Sequence, residues 1–171
     1  MAMAIMWLQQ LPPNHSNAIR VLSDLLTIHS SDKRRTIIFA RTKAVVESIA
    51  QELHQRRFAV QLLHADLTQA ERERNLSQFR SGSISVLVAS DIAGRGLDVP
   101  ECELVIHLRP PMNTDVYVHR SGRTGRAGRS GKSILLYSPQ EDGGFLSRLR
   151  KIHNVPMPVR KANHVSESVC E

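Results

Sequence analysis

Thr36-Ile37-Ile38-Phe39-Ala40-Arg41-Thr42 is the passage that settles the class of fold. Its first five residues are apolar or β-branched without polar alternation, the pattern of a strand buried on both faces. Thr42 then offers a helix cap, and Val45, Val46, Ile49 and Leu53 recur at helical spacing on one stripe. A strand that is apolar on both faces needs a covering layer on each side, so this passage predicts helices above and below a sheet.

The alternation continues in both directions. Upstream, residues 17–28 carry Ile19, Leu22, Leu25 and Leu26 at helical spacing. Downstream, residues 58–63 read as a strand, and Thr68 with Glu71 forms a capping box that opens a helix through Leu76 and Phe79 to Ser81-Gly82. Residues 84–89 and 104–108 are two more strands, the second stopped by Arg109-Pro110-Pro111, after which Asn113 or Thr114 caps a helix to about Arg120. Residues 132–137 supply a fifth strand and residues 145–152 a last helix. Strands that alternate with helices require crossover connections, so an α/β fold with a mostly parallel central sheet in three αβα layers is expected. Its site should gather at the carboxyl ends of the strands.

This pattern covers residues 16–153; residues 1–15 are set outside it as linker, and residues 154–171 as a C-terminal extension. At 171 residues one domain with one core is expected. The apolar start, residues 1–8, is far shorter than a membrane span and lacks the basic region and cleavage site of a signal peptide, so a soluble, intracellular protein without a membrane partner is expected. Two cysteines, Cys102 and Cys170, and eight scattered histidines show no zinc-ligand spacing, and no metal site is assigned. With 23 Lys and Arg against 16 Asp and Glu, the net charge of +7 points to polyanionic partners or to a solvated basic surface.

The densest chemistry lies in Gly122-Arg123-Thr124-Gly125-Arg126-Ala127-Gly128-Arg129-Ser130-Gly131-Lys132-Ser133. Arginine meets phosphate with a planar fork of donors, and glycine lets backbone approach an anion. Four proline-free triplets are too few for a collagen helix. A disordered basic tail is the stronger competitor, but packed elements flank the tract on both sides, which suits an ordered loop. A Walker A loop ending in Gly131-Lys132-Ser133 needs glycine where Arg126 stands and a helix where a strand follows. A second polar segment, Ser90-Asp91-Ile92-Ala93-Gly94-Arg95-Gly96-Leu97-Asp98, follows a strand directly. It can offer amides and a hydroxyl to phosphates and a carboxylate to a sugar, or serve as an ordinary polar loop.

These passages, with Leu63-His64-Ala65-Asp66, Gln69-Ala70-Glu71-Arg72 and Tyr117-Val118-His119-Arg120, resemble motifs IV, IVa, V and VI of the DEAD-box RNA helicases, in order. The resemblance is to the second, C-terminal RecA-like domain and spans about residues 16–153. It implies that Arg123 and Arg126 are arginine fingers for the γ-phosphate of ATP, the alternative being phosphate contact with RNA. It implies that Gly96 and Asp98 lie near the ribose, where Asp98 can equally cap the turn before Pro100. Thr42, Arg72 and Ser90 would touch RNA phosphates, although Thr42 also suits a helix cap and Arg72 a solvated helix face. His119 and Arg120 would couple the ATP site to the interface between domains, or pack the helix end. The sequence departs from the motifs in having Ser90 for threonine, Gly94 for alanine and Ala65 for glycine. None of the three removes a charged group.

No Walker A sequence, Asp-Glu-Ala-Asp box or Ser-Ala-Thr motif is present. In the family these sit on the N-terminal RecA-like domain, which holds ATP and Mg. The chain is therefore expected to contribute half of an ATPase site and to be inactive alone. A non-catalytic RNA-binding or regulatory module of the same fold is the second reading. A DNA helicase domain is the third, disfavoured because the motif VI wording is closest to RNA-acting members.

Overall fold

The computed structural model describes residues 4–11, 16–29, 34–90, 100–125, 130–153 and 157–160. The elements are β1 (Ala4–Gln10), α1 (Ser16–His29), β2 (Thr36–Ala40), α2 (Lys43–Gln55), β3 (Val60–Leu63) and α3 (Gln69–Ser81). They continue as β4 (Val86–Ser90), β5 (Leu104–His107), α4 (Thr114–Ser121), β6 (Gly131–Tyr137), α5 (Pro139–His153) and β7 (Val159–Arg160). The sheet runs β3-β4-β2-β5-β6-β1-β7, and each pairing in it is parallel.

Period-two alternation splits the strands between two layers. Ile38, Ala40, Val86, Val88, Leu104, Ile106, Ile134 and Leu136 pack on one face with the apolar stripes of α1 and α2. Ile37, Phe39, Leu87, Ala89 and Val105 face the other way, beneath Leu76 and Phe79 of α3. Further along that face, Leu8, Leu135 and Tyr137 meet Tyr117 of α4 and Phe145, Leu146 and Leu149 of α5. These are the expected three layers.

The caps follow local sequence. Thr42 Oγ1 accepts from Val45 N at 3.3 Å, and Asn113 Oδ1 accepts from Val116 N at 2.9 Å. Thr68 and Glu71 close the capping box on α3, which ends at Gly82 with φ +78°. α2 ends less comfortably, because Arg57 adopts φ +65°, a left-handed conformation that glycine takes without steric cost.

Three boundaries differ from the sequence reading. Residues 4–10, set outside the domain as linker, form β1 between β6 and β7, in register from Ala4 opposite Gly131 to Gln10 opposite Tyr137. Leu8 there is fully buried. The run is too short for a membrane but has the length of an ordinary strand. Within the extension, Val159 and Arg160 pair with Leu8 and Gln9. The last helix starts at Pro139 rather than near Phe145 and carries Gly143 and Gly144 inside it. Proline suits the first helical position, and the Asp142 carboxylate accepts from Ser138 N at 2.8 Å, which offsets the poor helix propensity of two glycines.

Candidate nucleotide and nucleic-acid interface

Because the strands are parallel, the segments after β2, β3, β4 and β5 emerge on one rim. Ala40 and Ser90 are partners in register, so Thr42 and Ser90 leave the sheet on neighbouring strands. Thr42 is exposed while capping α2, whereas Ser90 is 4% exposed. Lys43 binds Asp66 at 2.6 Å, tying the start of α2 to the turn after β3. That hydrogen bond raises the Lys43 pKa and lowers that of Asp66. Behind it, buried His64 places Nε2 3.4 Å from Glu47 Oε1.

Arg72 lies half-buried on α3, next to the capping box. Its Nε is sequestered from solvent and has no hydrogen-bond partner among the described residues. Asn75, one turn along, is held by donation of Nδ2 to Leu62 O at 2.9 Å. The thiol of Cys102 is buried and its pKa is pushed up to about 12 by that burial, so it is no nucleophile.

α4 carries the next group. Its Tyr117, Arg120 and Ser121 point inward, while His119 is exposed. Arg120 is 4% exposed and its guanidinium lies 5.0 Å from the centroid of Phe39 on β2. The two residues expected to act together thus face opposite environments. Arg123 follows, half-buried, in a loop fastened at several points. Arg123 O accepts from Cys102 N at 3.0 Å, and Thr124 Oγ1 donates to Glu103 O at 3.0 Å. Lys132 N, on the returning strand, donates to the same Glu103 carbonyl at 3.0 Å. Gly125 turns with φ +71° over Gly131, where even a methyl group would collide with its backbone. Arg126, Gly96 and Asp98 lie outside the described residues.

One constellation escaped the sequence reading. His107, at the end of β5, is fully buried, and its Nε2 lies 3.1 Å from both Ser121 Oγ of α4 and Ser133 Oγ of β6. The two hydroxyls are 2.9 Å apart, which closes a triangle. The ring stacks on Tyr117 at 4.5 Å. Nδ1 has no partner among the described residues, so the tautomer that carries its proton on Nε2 avoids a buried, unanswered donor. Burial, then the Arg120 charge, pushes the His107 pKa well below the usual histidine value and keeps the ring neutral. A faint signal existed: in Leu104-Val105-Ile106-His107 the histidine falls on the same buried face as Val105.

The carboxyl rim therefore presents hydroxyls and helix starts, whereas the Arg123 loop, expected with them, is fastened at the amino ends of β5 and β6 because α4 carries the chain back along the sheet. Both groups offer donors apt for phosphate oxygens. Among the described residues no group of histidine, cysteine and carboxylate side chains is arranged to hold a metal, and no helix is long and apolar enough to cross a membrane.

Comparison with known proteins agrees with this geometry. Residues 17–128 match the family described as the helicase conserved C-terminal domain. The human ATP-dependent RNA helicase DDX50 is 49% identical over 123 residues, covering 72% of this chain and 17% of that protein. The chloroplastic DEAD-box ATP-dependent RNA helicase 3A of Zea mays is 41% identical over 145 residues, covering 85% and 19% respectively. Among solved structures, the C-terminal domain of the DEAD-box protein Dbp5 superposes with a TM-score of 0.84 at 29% identity, covering 94% of this chain and 92% of that one. The DEAD-box protein SrmB of E. coli, solved with the regulator of ribonuclease activity A, gives 0.85 at 27% identity, covering 96% and 95%. The chain spans about a fifth of the length of the curated relatives it matches. Motif order, parallel sheet and relatives converge, and the chain belongs to the DEAD-box RNA helicases as a C-terminal RecA-like domain.

Proposed function

We propose that this domain is the second lobe of an ATP-dependent RNA helicase and lends cations to a nucleotide held mainly by an N-terminal RecA-like domain. Arg123 and Arg126 act as the fingers, neutralising charge that develops on the γ-phosphate. Gly96 and Asp98 serve the ribose side, the carboxylate accepting from sugar hydroxyls. Thr42, Arg72 and Ser90 grip one RNA strand by its phosphates, which makes binding tolerant of sequence. His119, from its exposed position, and Arg120, from its seat on Phe39, connect the finger segment to the lobe interface. When bound, Mg would supply charge neutralisation to the phosphates, held mainly by the N-terminal lobe. This chain suits phosphate and not the metal, since it offers guanidinium, hydroxyl and amide donors and, among the described residues, no group of side chains arranged to hold a metal ion.

Because ATP and RNA favour the same closed arrangement of lobes, each strengthens the other's binding, and closure on a bent strand parts a short duplex locally. The observation that carries the reading is the fastening of the Arg123 loop to Cys102, Glu103 and the start of β6. Donors held ahead of the reaction need no reorganisation when charge develops. The test is Arg126→Ala, and separately Arg123→Ala, in the full-length protein. Loss of a finger should cut RNA-stimulated ATP turnover by about 10³-fold or more while RNA affinity changes little. An unchanged turnover number removes the assignment. The 171-residue chain alone should show no robust RNA-stimulated hydrolysis.

A further inference from the structure

The triangle of His107, Ser121 and Ser133 touches neither of the proposed ligands, yet it ends two residues before Arg123. We propose that these three residues are positioning residues that set where the arginine loop leaves α4. The proposal deepens the finger reading and rests on it for its catalytic consequence. α4 has only eight residues, too few to be stable alone, so its end must be located by tertiary contacts. Arg120 reaches Phe39 of β2, and Ser121 reaches His107 of β5 and Ser133 of β6. Two consecutive residues of the helix thus engage three adjacent strands.

Ring stacking on Tyr117 alone would tolerate sliding, because dispersion is not directional. Hydrogen bonds in a dry site are directional, and a slip of the helix end would strand buried polar atoms. The triangle therefore fixes the start of the loop, while Thr124 on Glu103 fixes its middle.

His107→Phe keeps an aromatic ring against Tyr117 and deletes both hydrogen bonds; His107→Gln returns an amide that can bridge the hydroxyls. In the full-length protein, hydrogen exchange at residues 122–125 is compared with that of α3, beside kcat and KM for ATP. His107→Phe should speed loop exchange about tenfold and lower kcat about tenfold, with KM and α3 exchange within about twofold, and His107→Gln should recover most of both. Unchanged loop exchange overturns the proposal whatever the turnover does. Faster loop exchange with normal kcat, in a protein where Arg123→Ala does lower kcat, also overturns it. Faster loop exchange with normal kcat in both variants leaves the positioning role standing and removes the finger reading instead. Should the phenylalanine variant loosen α3 as well, Ser133→Ala deletes the same tie with little change in volume, and unchanged loop exchange there is equally decisive.

Discussion

Gly131→Ala is the sharpest probe of how the loop is held. A Cβ on Gly131 would stand 2.9 Å from Gly125 Cα and closer still to Gly125 N and Thr124 Oγ1. Unstrained carbon contacts lie near 3.5–4.0 Å, so residues 124–125 must retreat by several tenths of an ångström to about 1 Å. Backbone cannot rotate aside as a long side chain can. The retreat strains the Thr124 hydrogen bond to Glu103 O and that of Cys102 N to Arg123 O, each worth about 1 kcal/mol net. Overpacking adds roughly 1–3 kcal/mol, for a total of about 3–5 kcal/mol when both bonds are lost. At roughly 2–4 °C per kcal/mol for a domain of this size, the melting temperature of the isolated chain should fall by about 6–20 °C. In the full-length protein, an arginine loop displaced by about 1 Å should reduce turnover by up to about 10²-fold. Gly143→Ala is the matched control, because nothing lies within 4 Å of the added methyl. It sits inside α5, where alanine should raise stability by about 0.5–1 kcal/mol. A Gly131→Ala protein that melts within about 1 °C of wild type would refute the described packing of the loop.

Three further outcomes are expected. Arg57→Gly relieves the left-handed backbone after α2 and should raise stability by about 0.5–1 kcal/mol in chemical denaturation, less whatever the more flexible unfolded chain gives back; a loss would mean that the arginine side chain contributes more than its strain costs. Leu8→Ala should cost about 2–5 kcal/mol if β1 is an integral strand, and well under 1 kcal/mol if residues 1–15 were a loose linker. His107 faces Arg120 and Tyr117 of α4, Phe39 of β2 and two serine hydroxyls, with no carboxylate among its ring, ion and hydrogen-bond contacts with the described residues. Its folded pKa is depressed, so the unfolded chain binds the extra proton first, and stability falls as pH drops below about 6.5, by up to about 1.4 kcal/mol per pH unit. Urea midpoints for wild type and His107→Gln should diverge between pH 7 and pH 5; parallel curves would show that the ring is not held neutral.

What could be read from the chain depended on how far each feature's cause lies along it. Residues 36–40 and 86–90 are strands because both faces of each are apolar, and that information is contiguous. The caps at Thr42, Thr68 and Asn113 are local as well, each completed three residues later. β1 was missed because Ala4–Gln10 becomes a strand through β6, more than 120 residues away, and its polar Gln9 and Gln10 hide the pattern. The start of α5 was masked by Gly143 and Gly144, whose low propensity is outweighed by Pro139 and Asp142. At the site, the arginine tract and the rim hydroxyls were legible from residue type. The triangle was not, since His107, Ser121 and Ser133 carry no spacing that joins them until β5, α4 and β6 have packed.

The place of β1 governs how another lobe can be attached ahead of it. Parallel pairing puts Ala4 opposite Gly131 at the amino end of the sheet, the same end at which the loop carrying Arg123 is fastened. Seven residues of strand span about 23 Å at roughly 3.3 Å each. A tether entering β1 therefore arrives beside the arginine loop, and only a partner that also reaches Thr42 and Ser90 at the carboxyl end must recover that height.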